Sequence, residues 1–430
     1  MPPSKDQYFA YSAWIALFLV PCTAYILQPY SSLGYSGQNY NELRVLQVVT
    51  FFIFSLVAWK HKLQLPSGNT TKLLIISAML GVTSALFSAQ PSIGLQEVSL
   101  TILIALSCTL IATHCRQSSQ HNHWLLVLAL LPLIPSIQLI AELTIHFPVR
   151  AWNYSFDNIR MYGDATLPLV FLAMSVFERR RQHLLALLLP ALYLFGLLLD
   201  NGRANILGYC VGLALLHTLS APKMTRLAWR ILILALTSYL ITQATLGDGV
   251  SKSLIRTGSS QRVEIYLFSF NNWLDHLWLG IGPGTFNHVA DEILVSHPHN
   301  IVWQWLYEWG LIGGLLLSAA CLRLLHTLWR HRLELDAAML AALAAFSINS
   351  LLSGAMIYPV SQMILIALIA SVFSRLPAPI SNGPLQAPIF ALAIFVIIAT
   401  QHSNIIEIIT NSEWISQPNG PRFWAHGEYL

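Results

Sequence analysis

Charge is what this chain has least of. Only 10% of its 430 residues are Asp, Glu, Lys or Arg, against roughly 25% in soluble globular proteins. That scarcity, with 55% hydrophobic residues and a mean hydropathy of +0.59, excludes an ordinary soluble domain and a disordered chain. Cysteine is sparse as well. Cys22, Cys108, Cys115, Cys210 and Cys321 fall inside or at the ends of apolar runs, with no metal-ligand spacing and no extracytoplasmic pairing. No disulfide framework and no metal are expected from them. Internal repeats, low-complexity stretches and a soluble domain are also missing. The net charge of +4 comes from short loops between apolar runs, so it reports membrane topology and gives no reason to expect a nucleic-acid partner.

What is present is a succession of uncharged runs. A helix needs about 20 apolar residues to cross the hydrocarbon, and such runs lie near 9–27, 44–59, 73–89, 97–113, 124–145, 165–177, 184–199, 204–220, 228–245, 301–322, 337–352, 357–374 and 387–402. Pro132, Pro135 and Pro190 interrupt runs without ending them, because neighbouring helices re-satisfy the freed backbone. The expected fold is all-α: a polytopic membrane protein of about 12–13 transmembrane helices. The first run is long and has no small-residue cleavage site after it, so it reads as a retained helix.

Every second loop is basic: Lys60 and Lys62, Arg116, Arg179 to Arg181, Lys223, Arg226 and Arg230, Arg323 to Arg332, and Arg375. Lys and Arg concentrate on the cytoplasmic side, which predicts an inside N-terminus. The outer segments are then 28–43, 90–96, 146–164, 200–203, 246–300, 353–356 and a tail, 403–430. Four regions follow: N-terminal spans 1–245, a large outer loop 246–300, C-terminal spans 301–402, and the tail.

The outer loop is the one place long enough to build a site. Its segment 264–279 has apolar residues at helical spacing, with Trp273 and Trp278, and reads as an amphipathic helix at the membrane surface. A glycine turn, Gly280-Ile281-Gly282-Pro283-Gly284, follows. The loop ends in Ser296-His297-Pro298-His299-Asn300, directly before an apolar run containing Gln304, Glu308 and Gly310-Leu311-Ile312-Gly313. Imidazole exchanges protons near neutrality, so His297 and His299 at a membrane surface point to proton-transfer chemistry on a membrane-bound substrate. Asn300 suits an N-cap, and Glu308 suits orientation of the histidines or an interior polar contact. A zinc site drawing on His276, His288, Asp291 or Glu292 is the competing chemistry, but His-x-His alone is a poor metal signature.

Four arginines sit on the outer side against the general trend: Arg44, Arg160, Arg203 and Arg262. A guanidinium is a fixed cation whose planar fork suits phosphate, so an anionic group at the outer leaflet is expected. Arg203 lies in Asp200-Asn201-Gly202-Arg203, nearly without a loop between two apolar runs, where a charge needs a role or a partner. An Asp200–Arg203 pair is the structural alternative. Arg160 has Asp157 and Asp164 nearby, and Arg44 has Glu42. The tryptophans and tyrosines suit sugar stacking and an aromatic belt alike.

Gly202-Arg203, Ser260-Gln261-Arg262 and the run from His297 to Gly314 together resemble the O-antigen ligase and polymerase superfamily. It includes lipid A-core O-antigen ligases and the protein O-oligosaccharyltransferases that act on pilins. The resemblance implies a GT-C-like helical fold and metal-independent, inverting transfer of a glycan from an undecaprenyl-diphosphate-linked donor. The reaction would take place at the periplasmic face of the bacterial inner membrane, without a cofactor. It implies that Arg203 and Arg262, with Arg160, hold the donor diphosphate, and that His299 is the essential histidine, with His297 secondary. Asn300, Glu308 and Arg44 would support them. The Asn158-Ile159-Arg160 and Tyr40 to Arg44 segments resemble the pilin-modifying members. With the outer tail bearing Trp414, Arg422 and Trp424, they favour Ser or Thr of a protein such as type IV pilin as acceptor over lipid A-core. Polymerisation comes third. A transporter is the reading from another class, although transporters place charge at the midplane between repeats, and here it gathers at one face.

Overall fold

Inside lipid no water is at hand for backbone amides, so an apolar run must close its own hydrogen bonds, and a helix does so. The computed structural model describes residues 5–27, 39–60, 69–114, 121–145, 159–200, 202–246, 262–286 and 297–376. Among them there are helices and turns and no strand. The helices are α1 (Lys5–Cys22, running into a π-helical turn, Thr23–Leu27), α2 (Asn39–Lys60), α3 (Asn69–Leu86), α4 (Pro91–His114), α5 (His121–Leu130), α6 (Leu133–Ile145) and α7 (Ile159–Arg179). They continue as α8 (His183–Leu199), α9 (Arg203–Thr218), α10 (Pro222–Leu246), α11 (Arg262–Asp275), α12 (Ile301–Arg330), α13 (Ala337–Leu352) and α14 (Pro359–Phe373).

The first twelve predicted spans each coincide with helix, the fifth with α5 and α6 together, which part at Leu131 and Pro132. Four helical stretches are long and apolar enough to cross a membrane: Pro91–Ala112, His123–Thr144, Pro222–Leu246 and Ile301–Arg330. Shorter apolar helices stand among them, and the chain is an all-α polytopic membrane protein. The predicted span 387–402, the tail 403–430, Cys115, Arg116, Asn201, Gln261, His288, Asp291 and Glu292 lie outside the described residues.

The core is built around α7. Tyr162, Ala165, Leu167, Leu169, Phe171 and Ala173 are all buried, and α8, α9, α13 and α14 enclose them. The outer helices turn apolar faces outward, as α10 does with Trp229, Ile233, Leu240 and Ile241; in lipid that exposure costs nothing. Helices in lipid associate by close packing rather than by the hydrophobic effect, and small residues permit it. On α9, Gly208 and Gly212 supply that closeness. A Cβ at Gly208 would stand 2.7 Å from Leu167 Cδ2 and 3.0 Å from the Ala345 carbonyl, and one at Gly212 would stand 3.1 Å from the Ala341 carbonyl. This contact presses the start of α9 against α7 and α13.

The turns gather at two ends of the bundle. At one end the α7–α8, α9–α10 and α12–α13 connections are bonded together. Glu178 pairs with Lys223 and with His183 at 2.9 Å, Arg179 pairs with Asp336 at 3.5 Å, and Ser175 donates to Asp336 at 2.7 Å. Asp336 also caps α13, accepting from the Ala338 and Met339 amides. Burial raises the Glu178 carboxyl, but Lys223 and His183 outweigh it and hold the group below its ordinary value.

The other end carries the histidines, and its backbone departs from the helix. α12 is broken at Gly310, whose φ of 71° and ψ of 178° are not helical. The glycine turn after α11 fits into the break. Ile281 N donates to Tyr307 O at 3.1 Å, Gly282 N to Glu308 O at 3.1 Å, and Leu311 N to Leu277 O at 2.8 Å. Gly280, Gly282 and Gly284 all have positive φ, which glycine adopts without a Cβ penalty. Ile265, Ile281, Phe286 and Tyr307 form a small core beneath this turn. Beyond Gly310 the 20 residues of 311–330 extend about 30 Å, enough to cross a bilayer. The segment before it, 301–309, runs from the α13–α14 turn to the α3–α4 turn, where Ser84 donates to Glu308 O at 3.1 Å.

Candidate functional site

The site forms where α12 begins. Asn300 is the N-cap of α12: in extended conformation, it accepts from Trp303 N at 3.0 Å. Just before it, His299 has φ of 56°, the left-handed region that non-glycine residues seldom occupy. His297 holds it there. The His299 amide donates to His297 Nδ1 at 3.1 Å, and the two rings stand edge to face, 4.2 Å between centroids. Since Nδ1 accepts, a neutral His297 carries its proton on Nε2. That Nε2 edge lies over Gly354, where a Cβ would stand 2.8 Å from both Cε1 and Nε2. Both histidines are buried, His297 at 3% and His299 at 9% exposure. One imidazole is committed to holding the other.

The α13–α14 turn beneath them connects to most of the predicted site. Arg262, the first residue of α11, donates from Nη2 to Leu352 O at 2.8 Å. Ser353 Oγ donates to Asp164 at 2.7 Å. Tyr358 stands edge-on to His297, ring centroids 6.5 Å apart. Arg44, buried in α2, donates to Ile357 O, to Gln47 Oε1 at 2.6 Å and to Gln362 Oε1 at 2.7 Å. Four elements remote in sequence therefore meet on one short turn.

Arg203 stands exposed at the first position of α9. Two residues on, Asn205 enters a buried polar network: Asn349 Nδ2 donates to Asn205 Oδ1 at 2.6 Å and to Asp164 Oδ1 at 2.9 Å. The Asn205 amide lies so close to Gly163 and Gly202 that neither position has room for a Cβ, which gives the Gly202-Arg203 pair a packing reason. Arg160 lies in the first turn of α7, one turn before Asp164; its side chain is outside what is described. Glu308 belongs to a different part of the assembly. Wholly buried, it accepts from Gly284 N at 3.1 Å and from Gln304 Nε2 at 3.5 Å, so it anchors the glycine turn.

Toward α11, Trp303 Nε1 donates to Ser269 Oγ at 2.7 Å, and Trp273 lies edge to face with Trp303 at 5.4 Å. Another face of α11 exposes Val263, Leu267 and Leu274, with half-exposed Phe270 stacked on Trp303 at its edge, which fits the predicted surface-lying helix. Sequence reasoning met Asp164 only as a partner for Arg160, and it gave no role to Asn205, Asn349, Ser353, Gly354, Tyr358, Gln47 or Gln362. A polar side chain within an apolar span was the available signal for several of them. Among the described residues no three His, Cys, Asp or Glu side chains gather as a metal cluster.

The arrangement defines an integral membrane protein with imidazoles, arginines and a buried carboxylate at one end of its bundle. Residues 169–318 match the O-antigen ligase family, in agreement with the resemblance of its motifs. The family is one of glycosyltransferase-like ligases. The matched stretch contains Arg203, Arg262, His297, His299, Asn300 and Glu308; Arg44, Arg160 and the α13–α14 turn lie beyond it. No curated relative matches the chain.

Proposed function

We propose that this protein transfers a glycan from an undecaprenyl-diphosphate-linked donor to an acceptor hydroxyl at the periplasmic face of the inner membrane. The observation that carries the reading is His299, fixed by the His297 Nδ1 bond at the cap of α12 and adjoining the turn that receives Arg262 and Arg44. The acceptor oxygen attacks the anomeric carbon from the face opposite the diphosphate. The bond from that carbon to the diphosphate oxygen breaks, undecaprenyl diphosphate leaves, and the hydroxyl proton passes to the His299 imidazole. Negative charge develops on the leaving group, where fixed guanidinium groups are most effective; Arg203, Arg262 and Arg160 take that role. Holding hydroxyl and anomeric carbon together supplies the rest of the rate.

The acceptor is a Ser or Thr hydroxyl of a protein such as type IV pilin, a reading supported by the sequence of the 403–430 tail. Lipid A-core is the second reading, favoured by the family's own description. The test supplies purified protein and lipid-linked glycan with pilin and lipid A-core in parallel, and His299→Ala as control. Transfer to one acceptor that His299→Ala abolishes is the expected result. Donor bound with transfer to neither acceptor overturns the proposal and returns weight to polymerisation or transport.

A further inference from the structure

We infer that the turn Ser353 to Tyr358 is a positioning element for the imidazole pair, with Gly354 the surface that sets the His297 ring; this rests on the reading of His299 as the reacting imidazole. The chain of contacts is short. Gly354 lies against the Cε1–Nε2 edge of His297, and Tyr358 Cζ lies 3.0 Å from where a Gly354 Cβ would stand. The opposite edge of the same ring, Nδ1, accepts from the His299 amide and so holds its left-handed backbone. Movement of the His297 ring away from Gly354 therefore carries the His299 backbone with it.

The turn is itself fixed from three directions: Arg262 on Leu352 O, Asp164 on Ser353 Oγ, and Arg44 on Ile357 O. Ser361 Oγ donates to Ala355 O at 2.6 Å and Gln362 Nε2 to Met356 O at 2.6 Å, so almost every residue of the turn is bonded. Gly354 does not have positive φ, so alanine there meets no backbone penalty, and its methyl meets the imidazole and Tyr358. These residues act through His297 and His299 and are positioning residues.

The test uses the full-length protein in detergent and compares Gly354→Ala, His297→Asn and the double variant. Asparagine keeps an oxygen near the Nδ1 position but lacks the ring edge that the new methyl would meet. Misplacement of a reacting group by about 1 Å costs on the order of 10²-fold in rate. Gly354→Ala is expected to lower kcat about tenfold to a hundredfold with donor KM within about twofold. The same change is expected to add little in the His297→Asn background. Carbethoxylation of His297, followed by mass spectrometry, is expected to be several-fold faster in Gly354→Ala. Unchanged His297 reactivity, or an equal rate loss in both backgrounds, overturns the inference. If Gly354→Ala alone fails to fold, the double variant decides: it folds if the ring is what the methyl meets, and its failure overturns the inference too. If the wild-type protein transfers no glycan, the functional reading falls, while the reactivity comparison still decides the positioning.

Discussion

The two ends of the bundle are held by different chemistry. At the Glu178 end opposite charges meet directly, Glu178 with Lys223 and His183, Arg179 with Asp336, and the two positive-φ residues there, Arg181 and Ser220, close helix C-termini, where a left-handed residue is common. At the histidine end Arg44 and Arg262 bond to amide and carbonyl oxygens, the buried carboxylate of Asp164 accepts from Asn349 and Ser353, and the backbone takes positive φ at His299, Gly280, Gly282, Gly284 and Gly310. Ion pairs at a surface close loops with little demand on the chain. Left-handed backbone inside a loop, rather than at a helix C-terminus, persists only where its surroundings fix it, as His297 fixes His299. The ends therefore differ in their polar partners and in the glycine-lined break of α12, which only the histidine end has.

Four changes test the contrast, in falling order of effect. His299→Ala is expected to reduce transfer by about 10²- to 10⁴-fold, the range for a positioned acid–base group, with insertion and donor binding kept; near-normal turnover in a donor-to-acceptor assay removes the catalytic assignment. Gly310→Ala drives a methyl into the Trp278 carbonyl at a backbone angle alanine resists. It is expected to cost about 1–3 kcal/mol in thermal unfolding, and an unchanged Tm shows the break in α12 to be incidental. Asp164→Ala strips Asn349 and Ser353 of an acceptor, at about 1–3 kcal/mol together with slower transfer. If stability falls and turnover per folded molecule does not, the network is structural only.

The smallest effect belongs to the opposite end. Lys223→Ala is expected to cost about 0.2–1 kcal/mol and to leave transfer untouched, because Lys223 is largely exposed. The Glu178 carboxyl is held below its usual 4.5. Its contribution is therefore complete above pH 4.5 and is lost as pH falls through the lower folded value. Unfolding midpoints measured against pH in wild type and Glu178→Gln should converge in acid; parallel curves remove the carboxylate from the account.

Much of this architecture was legible in the sequence because hydropathy is a local property. Runs such as 165–177 and 337–352 became α7 and α13 since lipid leaves them no other form. The cap at Asn300 and the surface helix α11 were legible for the same reason: each depends on neighbours in sequence. The break at Gly310 was not, because Trp309-Gly310-Leu311 is apolar and reads straight through; only the docked turn 280–284 opens it. The α13–α14 turn was legible as the outer segment 353–356, but its contacts were not. Gly354 acquires its meaning from His297, and Ser353 from Asp164, 189 residues away. Asn205, Asn349 and Gln362 were overlooked because, apart from Gln304, the amides in the spans carry no motif, although a buried amide makes the same demand for a partner as a charge does.

The bonds of Arg44 also set a timetable for biosynthesis. Ile357 and Gln362 follow it by 313 and 318 residues. At about 5–20 residues per second, roughly 15–60 seconds of translation separate the entry of α2 from the arrival of the groups that receive its guanidinium. Through that interval only Gln47, on the same helix, is at hand among these three acceptors. The Ile357 carbonyl and the Gln362 amide reach Arg44 only when α14 comes in. The last helices to be made thus complete the bonding of a charge that entered with the second.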